Sequence, residues 1–260
     1  MKVSREQKSR IRQKLLDASV ELFVDKGFAA TTMRDISKRA GFSEGTIYNY
    51  FATKEGIFYA YFDSKDLQLE KALAEVRGFD EFTLKEKLQL MMETALDGYA
   101  PDRAFVAIAY KAILDSPLRS FSELGPVKER FADRIAGYFQ RATKKGEIPG
   151  QPFERFLVHL LWDYMNLVVF YWLRDDSPKY TNTTRLVDMS LDIYKDVVAS
   201  GIVTKAADML TFLCKSHVYG NIDRLFSVVG LWAQSQAKKE GALKTDERPE
   251  AHTQRKPRTR

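Results

Sequence analysis

Residues 31–54 read TTMRDISKRAGFSEGTIYNYFATK, and the reading of this run decides the fold. Thr32, with Asp35 three residues on, has the spacing of a capping box, in which two side chains satisfy the free donors at a helix start. Met33, Ile36 and Ala40 then recur at helical spacing and predict a short helix, broken at Gly41-Phe42-Ser43. A second short helix follows over 44–51, started by Ser43 and anchored inward by Ile47 and Phe51. Two short helices across a glycine-containing turn make a helix-turn-helix. The outward side of the second carries Glu44, Gly45, Thr46, Tyr48 and Asn49, small and polar groups suited to base edges in a major groove. Gly45 lets backbone approach closely, and Thr46 offers a hydroxyl and a methyl. Thr32 and Arg34 on one side, Tyr50 and Lys54 on the other, are placed to meet the phosphates that fix register. Two positions carry a second reading: Ser43 as a helix cap alone, and Tyr50 as a packing residue.

Upstream, Ile11, Leu15, Ala18 and Leu22, with Phe23 beside them, form one apolar stripe over Arg5–Lys26, and Gly27 stops it. Lys2, Arg5, Lys8, Arg10 and Arg12 make a basic arm able to reach a nucleic-acid backbone. Charge follows the same geography. Residues 1–60 carry +4, residues 61–240 carry −1, and residues 241–260 carry +3 of the net +6. Positive charge gathered at the ends over a neutral middle is the footprint of a nucleic-acid binder, or of a solvated surface with basic tails.

Downstream, Thr53 caps a helix over 54–77, enriched early in Ile57, Phe58, Tyr61 and Phe62. Further helices are predicted at Leu84–Tyr99, Arg103–Asp115, 127–145, 153–174, 184–200 and 206–236, the last broken at Gly220. Turn residues separate them, at Ala100-Pro101-Asp102, Ser116-Pro117, Gly125-Pro126, 146–152, 175–182 and Gly201. No strand-like alternation persists, so the fold class is all-α: a three-helix DNA-binding domain in 1–53, a larger helical domain in 54–237, and a basic, disordered tail in 238–260.

The same sequence argues against other classes. One cysteine, Cys214, forbids an intrachain disulfide, as suits a cytoplasmic protein. The N-terminus is charged where a secretion signal needs an apolar core. The most apolar stretch, 156–173, holds His159, Asp163 and Asn166 and reads as a buried helix, not a membrane span. The three histidines, His159, His217 and His252, form no nucleophile-base or metal pattern, and no phosphate-binding glycine motif occurs. Neither an enzyme nor a cofactor is expected.

The helix-turn-helix region resembles the N-terminal domain of the tetracycline-repressor (TetR) family over about residues 8–62. The match rests on Thr31-Thr32, Asp35-Ile36, Ala40-Gly41-Phe42-Ser43, Gly45-Thr46, Tyr48-Asn49-Tyr50-Phe51 and Lys54-Glu55, in order and spacing. The resemblance implies a homodimer that represses transcription from a palindromic operator on double-stranded DNA and is released by a small-molecule effector. It implies that Thr32, Arg34, Ser43, Gly45, Thr46, Tyr48, Asn49, Tyr50 and Lys54 contact DNA. It also implies two recognition helices roughly 34–36 Å apart, a spacing that effector binding changes by shifting the fourth helix.

Family dimers commonly join two late helices per chain into a four-helix bundle. Here 153–174, apolar nearly all round, and 184–200, striped by Leu186, Met189, Ile193 and Val197, are the candidates. An intrachain core is the alternative reading of the second stripe. Tyr110, Phe139, His159, Trp162 and Asp163 are the candidate effector contacts. Aromatic residues at this spacing also make ordinary core. His159 and Asp163, one helical turn apart, can instead satisfy each other or cross the dimer seam. A larger domain controlled by a protein partner, or by nothing, is the alternative.

Overall fold

A computed structural model describes residues 4–115, 124–150 and 154–213. Lys2, Ser116-Pro117, Pro152, Cys214, His217, His252, the 238–260 tail and the helix expected beyond residue 213 lie outside the described residues. By packing, the chain divides between Thr204 and Lys205. Among the described residues there is no strand, and no helix is long and apolar enough to cross a membrane.

The helices are α1 (Arg5–Lys26), α2 (Met33–Arg39), α3 (Glu44–Tyr48), α4 (Lys54–Ala74), α5 (Leu84–Tyr99), α6 (Arg103–Asp115), α7 (Gly125–Lys144), α8 (Glu154–Trp172), α9 (Thr181–Ala199) and α10 (Ile202–Leu213). Their limits follow local chemistry. Gly27 ends α1 at φ 83°, a conformation that disfavours any side chain. The capping box expected at Thr32 and Asp35 forms, and a second one joins Thr83 and Glu86 at the head of α5. Gly125-Pro126, expected as a turn, lies in the first turn of α7, where the missing proline N–H costs nothing. Helix α10 begins straight after Gly201 (φ 69°), not at residue 206.

One aromatic cluster joins α1 to α4 and α6. Phe58 of α4 has its ring 5.4 Å from Phe23 of α1, 4.7 Å from Phe28 and 5.6 Å from Phe105 of α6. Phe23, Phe58 and Phe105 are each no more than 1% exposed. Below this cluster α5 packs on α4 and α9, and α7 packs on α8.

The α8–α9 connection is fixed by a polar knot. Buried Asp175 accepts hydrogen bonds from the backbone and hydroxyl of Ser177 (2.9 and 2.6 Å) and of Thr183 (2.8 and 2.6 Å). Burial opposes the charge, but those bonds outweigh it and hold the carboxyl well below the usual carboxylate range. Arg103, at the start of α6, lies over both the Trp172 and Tyr180 rings, which meet edge-on, and donates to the carbonyls of Trp172 and Asp175 (3.0 and 3.1 Å). Lys179 and Tyr180 adopt left-handed backbone (φ 53° and 57°), a strained choice for residues with side chains.

The two late helices leave apolar stripes uncovered. On α8 these include Phe156 (64% exposed), Leu160, Leu167 (61%) and Tyr171; on α9 they are Met189, Ile193 (65%) and Val197. Of the stripe expected on α9, only Leu186 is partly buried.

Candidate nucleic-acid interface and effector cavity

Helix α3 is only five residues long, so its direction depends on what it packs against. Ile47 is fully buried, and Phe51, whose N–H bonds the Ile47 carbonyl at 2.9 Å, is 4% exposed. Helix α2 is tied to α1 where both Nε and Nη2 of Arg39 donate to Glu21 (2.9 and 2.7 Å). On this scaffold Ser43, Glu44, Gly45, Tyr48 and Asn49 face outward, with Thr46 half-buried among them. Tyr48 is 52% exposed, too much for a residue whose role is packing. Thr32 and Arg34 are exposed at the start of α2.

Three expected roles come out differently in geometry. Ser43 starts α3 without a side-chain capping bond; its hydroxyl pairs with that of Thr46 at 2.8 Å. Tyr50 is half-buried against the core. Lys54 is turned away from solvent. Its ammonium donates to the carbonyls of Phe28 (2.8 Å) and Thr31 (2.7 Å), with Ala29 at 3.4 Å, and lies over the Phe28 ring. These acceptors occupy all three N–H groups, and they offset the cost of a cation at a helix N-terminus. Lys54 therefore locks the α1–α2 turn to α4. Arg12, expected in the free arm, is likewise engaged: it lies over Phe51 and pairs with Asp63 at 3.7 Å.

Gly45 is not required by the fold. Its backbone is not left-handed, and an added Cβ would meet nothing within 4 Å. Glycine in a helix costs about 1 kcal/mol relative to alanine. The residue is explained if an outside surface comes close. Gly45→Ala is therefore expected to raise Tm by about 2–4 °C while weakening DNA binding by about tenfold. Paired melting and anisotropy measurements check this, and unchanged DNA affinity would remove the close-approach argument.

The larger domain holds a partly open cavity of about 80 Å³ between α4, α5, α6, α7 and α8. Tyr110 and Trp162 line it, as expected; Tyr110 donates to Asn166 Oδ1 at 3.1 Å. Burial pushes the Tyr110 and Tyr99 hydroxyls well above their ordinary range, so both stay protonated hydrogen-bonding groups. The other three candidates are elsewhere. Phe139 is core, edge-on to Tyr194 at 6.4 Å. His159 and Asp163 project outward from α8 beside Leu160, and no hydrogen bond joins them among the described residues. The apolar character of α8 all round hid which side faces inward.

Sequence reasoning missed the charged part of the cavity wall. Asp66 of α4 lines the cavity, is 7% exposed, and accepts from Arg130 Nε (2.7 Å) and Arg134 Nη2 (3.1 Å) of α7. The available signal was Asp63/Asp66 and Arg130/Arg134, spaced to share a helix face, but nothing local pairs them.

A buried anchor beneath a short, exposed, polar second helix is the geometry of a helix-turn-helix. Comparison with known proteins supplies its lineage. The profile of bacterial regulatory proteins of the tetR family matches residues 15–61, and that of the tetracyclin repressor-like C-terminal domain matches residues 87–213. The chain belongs to the TetR family of transcriptional regulators. The fatty acid metabolism regulator protein of Bacillus subtilis is 26% identical over 192 residues, covering 74% of this chain and 95% of that one. The transcriptional repressor KstR2 of Rhodococcus jostii is 35% identical over 106 residues, 41% of this chain and 45% of that one. Two crystal structures share the fold. The TetR regulator of Nitrosomonas europaea has a TM-score of 0.55 at 22% identity, covering 71% of this chain and 97% of its own. FadR of B. subtilis in complex with stearoyl-CoA has a TM-score of 0.56 at 23% identity, covering 73% and 98%. These relatives are named as transcriptional or metabolic regulators.

Proposed function

We propose that the chain is a homodimeric repressor that binds a palindromic operator through α3 and is released by a small molecule entering the cavity of its larger domain. The carrying observation is the outward face of Gly45, Tyr48 and Asn49, with Thr46 half-buried among them, on an α3 anchored by buried Ile47. In this reading those residues meet base edges, and Thr32, Arg34 and Ser43 meet the backbone. Tyr50 and Lys54 act by packing and by locking the turn. Residues 1–53 are the DNA-binding part and 54–237 the effector and dimer part, with the tail from 238 adding positive charge. The stripes of α8 and α9 supply the seam, since exposed apolar surface of this extent calls for a partner.

For the effector we favour a molecule with a long acyl chain. The relative named for fatty acid metabolism aligns over nearly its whole length, and the FadR structure holds stearoyl-CoA. The cavity wall here, with Phe62, Met91, Phe131 and Val169, suits such a chain. At about 80 Å³ the cavity is smaller than the roughly 300–1,000 Å³ of a typical ligand site. Filling it therefore moves helices, and that movement is the release signal.

Selection of bound fragments from random DNA, run with the wild type and with Tyr48→Ala, tests the reading. The wild type is expected to recover a short palindrome and the variant none. Because Tyr48 is half-exposed, the variant should fold normally. Equal, motif-free recovery by both proteins would leave only nonspecific attraction between basic surface and phosphate.

A further inference from the structure

The charged wall of the cavity continues as a ladder of side chains toward α3. Asp66 holds Arg130 and Arg134. Arg130 reaches past Asp66 and donates through Nη2 to Asp63 at 2.8 Å, one helical turn nearer the DNA-binding end of α4. Asp63 in turn pairs with Arg12 of α1, whose guanidinium lies over Phe51, three residues past the end of α3 (5.7 Å to the ring centroid). Four side chains thus join the cavity wall to Phe51, whose N–H bonds the Ile47 carbonyl of α3. Val127 of α7 lines both the cavity and an open groove of about 390 Å³ that Arg12, Phe51 and Asp63 border, so the ladder has room to move at its DNA end.

The ladder also leaves one donor unmatched. Nη1 of Arg134 is buried with no hydrogen-bond partner, while Nε of Arg130 and Nη2 of Arg134 each bond one Asp66 oxygen. Were Arg130 to leave Asp66, Arg134 could take both oxygens with its two terminal nitrogens. Arg130 could then close in the same forked way on Asp63, where it would displace Arg12. Both arrangements keep the carboxylates paired, and the second also satisfies the orphan donor.

We propose that Asp63, Asp66, Arg130 and Arg134 form a two-position ion-pair switch, and that effector binding throws it by moving Arg130 from Asp66 to Asp63, which frees Arg12 from α4. These are positioning residues: none touches DNA, and they act through Arg12 and Phe51. The inference rests on the effector-controlled reading above, but its first test needs no effector. Operator affinity is measured for Asp66→Asn, Arg12→Gln and the double variant, using DNA recovered by the selection. Asp66→Asn removes the anion that restrains Arg130, so it is expected to weaken binding about fivefold or more. The double variant is expected to be no weaker than Arg12→Gln alone. Unchanged affinity in Asp66→Asn, or losses that multiply, would overturn the switch.

Asp66 is buried, so melting curves accompany the cycle, and Arg134→Lys provides a second route should Asp66→Asn not fold. Lysine keeps the charge and one bond to Asp66 but cannot fork onto both oxygens. Stearoyl-CoA is expected to bind Arg134→Lys as it binds the wild type, by calorimetry, yet to release DNA at least fivefold less effectively. Full release by this variant also sinks the proposal. If stearoyl-CoA fails to bind the wild type, the acyl-effector reading fails, and the switch is decided by the effector-free cycle.

Discussion

Ile193→Asp is expected to split the dimer and weaken operator binding by about 10²–10⁴-fold. Ile193 is 65% exposed in the single chain, so an aspartate there costs the monomer little. Across a seam it would bury a carboxylate without a partner, which is expensive. Each recognition helix alone makes few contacts. In the proposed dimer, affinity comes from placing two of them on one duplex, where the first contact raises the effective concentration of the second. Sedimentation at micromolar protein should show the variant near the 29.9 kDa chain mass with an unchanged helical spectrum. A variant that remains dimeric would move the seam off α9, and one that is monomeric yet binds the operator normally would remove the palindrome.

Phe58→Ala is expected to cost about 3–5 kcal/mol and to lower Tm by roughly 10 °C. The ring is 1% exposed and touches Phe23, Phe28 and Phe105, so its removal opens a cavity where α1, α4 and α6 meet. The location matters as much as the size. Helix α1, on which α2 packs, shares this cluster with α4 and α6, so the wild type and the variant should each melt in a single transition followed by circular dichroism. A separate early transition in the variant would mean that the DNA-binding helices are held by their own core.

Much of this architecture is written locally, and that part is legible. The Thr32–Asp35 box, the Gly27 stop and the inward Ile47 each depend on neighbours within a few residues. The outward face of α3 follows from the same spacing. What was not legible depends on register between distant segments. The pairing of Asp66 with Arg130 joins residues 64 apart, and no periodicity states which faces of α4 and α7 meet. Lys54 was misplaced for a related reason: its acceptors are carbonyls of a turn more than twenty residues upstream, and carbonyls leave no mark in a sequence. His159 and Asp163 failed as cavity residues because a helix apolar on every side does not reveal its inward face.

Helix α4 has 21 residues and, at 1.5 Å per residue, is about 31 Å long. Asp66 lies 12 residues from its first residue, Lys54, or roughly 18 Å along the axis. The helix is therefore a lever with its load arm pointing at DNA. A tilt of about 6° around Asp66 carries the Lys54 end by about 2 Å, and Lys54 takes the α1–α2 turn with it. In the proposed dimer, two-fold symmetry would double the displacement. A change of about 4 Å in a separation near 34 Å puts one recognition helix out of step with its half-site. Mechanical advantage of this kind lets a sub-ångström adjustment in a small cavity decide whether two distant helices fit one groove.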